Sequence, residues 1–157
     1  MKKFPWKTYA AWILLAEAVG GLAGWLTREG TKLYTESIVQ PPLSPPAIVF
    51  PIVWAVLYAL MGVSAARIRM APPSGDRRLG LRLFAGQLAF NFFWSIIFFD
   101  LQWFGFALVW LVALWALIAA MVLVFYRVEL LAARLQLPYL VWVAFAGYLN
   151  AGVWLLN

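Results

Sequence analysis

The 157 residues contain no Cys and no His. That removes disulfides, a thiol nucleophile, thiolate metal sites and the commonest general base. What is left for chemistry is six carboxylates, some amides and hydroxyls, and a large excess of aromatic rings: 10 Trp, 12 Phe and 6 Tyr. Several of these sit at helical spacing inside apolar runs. Gln87 and Asn91 are four apart, with Trp94 three further on, so they share a face. Trp54 and Tyr58 are again four apart, and Trp142, Ala146 and Asn150 follow the same rule, with Tyr139 near that face. Aromatic plates, a small residue and amides suit the wall of a site for a flat, mostly apolar ligand with few polar handles. The same amides could instead tie helices together by interhelical hydrogen bonds. Glu17 is a lone carboxylate within an apolar stretch, which makes it a candidate functional group or a packed, neutral carboxyl. No catalytic or metal-binding set emerges. No two carboxylates share a helical face within an apolar run, every Lys precedes Tyr34, and there is no glycine-rich phosphate loop.

The elements that must position these residues are set by composition. Apolar residues make up 66% and charged residues 11%, against about 45–50% and about 25% in ordinary globular chains. Eighteen charges cannot cover the surface of a soluble fold this small, so the chain reads as an integral membrane protein. Five stretches are apolar enough to cross about 30 Å of hydrocarbon as helices, at about 8–27, 47–66, 83–100, 105–126 and 136–156. None alternates with the period of a barrel strand, so the fold class is an all-α membrane protein, a five-transmembrane-helix bundle forming a single domain over 1–157. The first stretch follows Lys2, Lys3 and Lys7 like a signal peptide. Its length, and the glycines Gly20, Gly21 and Gly24, favour a retained helix with a GxxxG contact at Gly20 and Gly24. The fourth stretch, nearly without polar side chains from Val109 to Val124, reads as facing lipid or a second copy.

Alternate connecting segments carry ten and two basic residues, which places the N-terminus in the cytoplasm and the C-terminus outside. The bias suits a bacterial cell membrane. It also accounts for the net charge of +6, so nucleic acid is not expected as a partner. Residues 28–46 form the one sizeable outer loop, ending in Gln40-Pro41-Pro42-Leu43-Ser44-Pro45-Pro46. Proline fixes φ and restricts its predecessor, so this loop is expected to be stiff and extended, a lid on the bundle or a plain connector. Trp6, Trp25, Trp103 and Trp154, near helix ends, read as interfacial belt residues.

The proline run, followed by Val49-Phe50-Pro51-Ile52-Val53-Trp54 and Leu57-Tyr58, resembles the loop and second helix of the TspO/MBR (translocator protein) family. So do Gln87-Leu88-Ala89-Phe90-Asn91-Phe92-Phe93-Trp94 and Leu137-Pro138-Tyr139-Leu140-Val141-Trp142-Val143-Ala144-Phe145-Ala146. The resemblance implies a five-helix bundle, commonly a homodimer, in the lipid bilayer. It implies a cavity between the second, third and fifth spans that binds porphyrins such as protoporphyrin IX, or related flat hydrophobic molecules including benzodiazepine-type drugs. Porphyrin is then a ligand and no cofactor is expected. Carried over residue by residue, the ligand-binding set is Trp54, Tyr58, Asn91, Trp94, Trp142 and Ala146, with Pro41 and Pro45 at the lid. The activity implied is sensing, regulating or transporting tetrapyrroles. The alternatives are light-dependent porphyrin degradation and small-solute transport using Glu17. The sterol motif of mitochondrial relatives is broken in the last span, which implies poor cholesterol recognition there.

Overall fold

The computed structural model describes residues 4–157. Lys2 and Lys3, counted above among the basic residues, lie outside the described residues. Helices α1 (Trp6–Leu26), α3 (Val49–Met70), α4 (Gly75–Ser95), α5 (Phe104–Val128) and α7 (Leu137–Leu156) build the bundle. A π-helical turn, Ile96–Asp100, continues α4, and two short helices, α2 (Arg28–Ser37) and α6 (Leu130–Leu135), lie at opposite ends. Five helical segments are long and apolar enough to cross a membrane. The fold is all-helical, with no strand among the described residues.

The ends of the spans follow local chemistry. α4 begins eight residues before the expected 83, because Arg77, Arg78 and Arg82 ride on the helix rather than preceding it. Ser74 caps its start, the hydroxyl accepting from Arg77 N at 3.0 Å. The lid is a larger departure. Half of the segment expected to be extended is the helix α2, which turns off α1 at Thr27, where the hydroxyl donates back to Ala23 O at 2.8 Å. Gly30 and Tyr34, four apart, form its buried face against Phe99 and Asp100. A Cβ at position 30 would collide with the backbone there, so the close approach needs glycine. Only the following stretch, through the prolines, is non-helical, and Leu43 takes φ 69° at its turn.

Neighbouring helices pack in the order α1, α3, α6–α7, α5, α4 and back to α1, with α3 also reaching α4 across the middle. α3 and α7 meet through aromatic side chains rather than close backbones, Phe50 lying edge-on to Trp142 and Trp54 to Tyr139. α5 is not a purely lipid-facing helix. Leu114, Ile118, Met121 and Phe125 are buried against α4 and α7, while Val109, Val112 and Leu123 point outward. The expected belt residues Trp6, Trp25, Trp103 and Trp154 are all exposed.

At the end away from α2 the bundle is knitted by polar contacts. Arg67 on α3 grips Glu129, before α6, through two N–H groups at 2.7 Å each, and donates to Tyr9 on α1 at 3.1 Å. Ser64 donates to Ala132 O at 2.7 Å, buried between α3 and α6. The Arg67 guanidinium holds the Glu129 carboxyl below the usual carboxylate range by hydrogen bonding.

Candidate functional site

Under α2 and the proline stretch lies a cavity of about 800 Å³, within the range of about 300–1,000 Å³ typical of small-molecule sites. Four elements supply its aromatic wall. Phe50, Trp54 and Tyr58 follow one another at four-residue intervals along α3. Trp142 comes from α7, Trp94 and Phe98 from α4 and its π turn, and Tyr34 from α2. The rings brace each other. Trp54 lies 5.6 Å from Tyr58, Phe50 packs edge-on to Trp142 at 6.0 Å, and Trp94 stacks on Phe98 at 5.0 Å. Tyr34 sits 5.4 Å from both Phe98 and Phe99, so α2 is held to the wall by the same rings that line it. Burial raises the Tyr34 phenol above its ordinary value, which keeps it neutral.

Glycines and alanines leave the space these rings surround. Gly20 on α1 lies against the Tyr58 ring, where a Cβ would collide. Gly21 and Gly24 line the cavity with nothing near a Cβ, so the expected GxxxG contact is made by Gly20 alone and Gly24 faces the hollow. Ala146 on α7 supplies the small residue opposite.

The floor is a chain of buried hydrogen bonds. Tyr58 OH donates to Asn91 Oδ1 at 2.9 Å, Asn91 Nδ2 donates to Tyr139 OH at 2.7 Å, and Tyr139 OH donates to Gln87 Oε1 at 2.7 Å. A second link joins the side wall: Trp94 Nε1 donates to Asn150 Oδ1 at 3.1 Å, and Asn150 Nδ2 donates to Phe104 O at 2.8 Å. The hydroxyls and the Asn91 and Asn150 amides are satisfied within the protein, whereas Gln87 Nε2 is buried without a partner. The Trp142 indole N–H, on a cavity-wall residue, is likewise buried and unpartnered. Arg28 lines the mouth, its guanidinium stacked 4.4 Å over Trp25 and donating to Trp25 O at 2.7 Å. Glu17 is the other charged side chain on the wall.

The lid is pinned from the α7 side. Tyr148 OH donates to Pro42 O at 2.7 Å, and the Asn157 amide both accepts from Val39 N at 3.0 Å and donates to Val39 O at 2.8 Å.

Of the residues expected at the site, Trp54, Tyr58, Trp94, Trp142, Ala146 and Pro45 line the cavity. Two sit elsewhere. Asn91 is 2% exposed and lies in the floor beneath Tyr58, with both ends of its amide taken by tyrosine hydroxyls. Pro41 packs on α7 at Gly152 instead of facing the hollow. Tyr34, Phe50 and Phe98 were not expected. For Phe50 the four-residue stripe with Trp54 and Tyr58 was a usable signal, whereas Tyr34 depends on a helix that the proline-rich loop concealed.

The TspO/MBR family model matches residues 12–155. The chain belongs to the TspO/MBR family. It is 36% identical to protein CrtK of Rhodobacter capsulatus over 151 residues, covering 96% of this chain and 93% of that one. It is 38% identical to the tryptophan-rich protein TspO of Chlorobaculum tepidum, with 96% of each chain covered. The translocator protein of Bos taurus is 37% identical over 153 residues, 96% of this chain and 90% of its own. Family membership thus extends from bacterial to mammalian relatives along nearly the whole chain.

Proposed function

We propose that this TspO/MBR protein is a membrane receptor or carrier for protoporphyrin IX-type tetrapyrroles and related flat hydrophobic ligands, held in the cavity under the lid. The observation that carries the reading is the wall itself: three indoles, Trp54, Trp94 and Trp142, face one hollow of about 800 Å³. A macrocycle gains from stacking on such plates and from leaving water. Arg28 at the mouth offers a cation to a carboxylate substituent. Titration with protoporphyrin IX while Trp emission is followed tests this. Saturable quenching that weakens about tenfold in Trp142→Ala is expected, and quenching that never saturates sinks the reading.

The same three indoles support a second reading, oxidation of bound porphyrin in light with a tryptophan as electron donor. That chemistry needs no acid–base group, which suits a chain without His. Illuminated complex that loses its Soret absorption no faster than free porphyrin in detergent would exclude it.

The basic residues Lys7, Arg67, Arg69, Arg77 and Arg127 gather at the end of the bundle away from the lid. This supports a cell-membrane orientation with that end in the cytoplasm and the lid outside. The outward apolar face of α5, with Val109, Val112 and Leu123, supports a homodimer in the bilayer.

A further inference from the structure

We propose that the cavity is also a site for hydrophobic cations, aromatic amines or quaternary ammonium compounds, with Glu17 as their counter-ion. The inference rests on the cavity being a ligand site and goes beyond its tetrapyrrole occupant. Glu17 lies on the wall, one turn before Gly20, on the face of α1 that meets the Tyr58 ring. The ion pairs among the described residues join Arg67 to Glu129 and Arg127 to Asp76, and neither involves Glu17. Arg28, among the described residues the one cation on the wall, follows the end of α1 at Leu26, itself about 14 Å from Glu17 at helical rise. It is moreover turned back onto Trp25. A carboxylate facing an aromatic hollow at the depth of the bilayer is costly unless it takes up a proton or a positive charge meets it. No residue of the wall supplies that charge, and a ligand can. The Tyr58 ring, packed on Gly20 one turn from Glu17, completes the match, since an aromatic ring attracts an ammonium that has shed its water.

The proposal predicts a preference set by charge alone. (9-Anthrylmethyl)trimethylammonium and its uncharged carbon isostere, 9-neopentylanthracene, have the same shape. Both accept excitation from Trp, so binding is read as energy transfer in detergent-solubilised full-length protein. The wild type should favour the cation by tenfold or more, Glu17→Asp should keep most of that preference, and Glu17→Gln should bring the two probes to equal affinity. Equal affinity in the wild type, or a preference that survives Glu17→Gln, overturns the inference. Protoporphyrin IX titrated into the wild type keeps the two readings apart. Saturable porphyrin quenching with no charge preference removes the Glu17 role and leaves the tetrapyrrole receptor standing, whereas a Glu17-dependent preference without porphyrin binding does the reverse.

Discussion

The two ends of this bundle are made from the same five helices and behave as different materials. Away from the lid, several polar side chains find each other, Arg67 with Glu129 and Tyr9 and Ser64 with Ala132, although Arg77 Nε and both ends of the Gln136 amide are buried there without partners. Small residues there let helices meet, and Gly62 sits directly on the α1 backbone at Ile13. Toward the lid, small residues face empty space, as Gly24 does, and the polar groups Trp142 N–H and Glu17 are left without protein partners. The chain Tyr58–Asn91–Tyr139–Gln87 marks the boundary. One end is cross-linked by an ion pair, and the other surrounds a hollow with a carboxylate on its wall.

The largest effect should come from breaking that boundary. Asn91→Leu removes the acceptor of Tyr58 and the donor to Tyr139 at once, at a buried position. Unsatisfied buried groups cost about 1–3 kcal/mol each, and interhelical hydrogen bonds in membranes average less, so a loss of about 2 kcal/mol is expected. Thermal unfolding in detergent should fall by about 4–8 °C. A variant melting like the wild type would mean that the floor is not what separates the two ends.

Filling the hollow should do the opposite. Ala146→Leu adds volume on the cavity wall without cutting any polar contact. Protoporphyrin IX affinity should drop about tenfold, equivalent to about 1.4 kcal/mol, while the melting point stays put or rises. Lost stability together with unchanged binding would invert the comparison.

How much of this was legible beforehand differs between the ends for a physical reason. Spans follow from long apolar runs, and so the five helices could be read from the sequence, as could the exposed Trp6, Trp25, Trp103 and Trp154. The indoles at 54, 94 and 142 stood out because each shares a helical face with another aromatic or an amide, and all three line the cavity. The direction of an amide is a different matter. Spacing put Asn91 on the face of Trp94, yet whether it looks into the hollow or into a neighbour depends on Tyr139, 48 residues away on α7. α2 was hidden because a ten-residue polar helix with one buried edge, Gly30 and Tyr34, owes its position to Phe98 and Phe99 rather than to its own pattern.

A smaller effect separates the ends by pH. Glu129 has its carboxyl lowered by the Arg67 hydrogen bonds. A lowered folded-state value means that the stabilisation is fully present above the ordinary carboxylate range and is lost as pH falls through the folded value. Both side chains are partly exposed, 33% and 26%, so the contribution is about 1 kcal/mol. Melting points measured from pH 7 down to pH 3 should decline, and Glu129→Gln should flatten that decline while lowering stability at pH 7.

The smallest expected change lies at the lid. Tyr148 is 43% exposed, and its hydroxyl reaches Pro42 O at the outer surface. Tyr148→Phe deletes that one bond and leaves the ring where it stacks on Phe145. Water can replace the lost donor, so the effect on stability should stay near 0.5 kcal/mol. Kinetics should register it more clearly than equilibrium does, because the cover must part from α7 before a ligand leaves. Release of protoporphyrin IX, followed by stopped-flow recovery of Trp emission, should quicken about twofold, and the reciprocal Val39–Asn157 pair limits the gain. Asn157→Ala added to Tyr148→Phe removes that restraint, and release should then accelerate beyond the product of the two single effects, since each pin holds the cover while the other is open. Release rates that ignore both substitutions would mean that the ligand leaves sideways into the bilayer, and the hollow end would then open through its wall rather than through its cover.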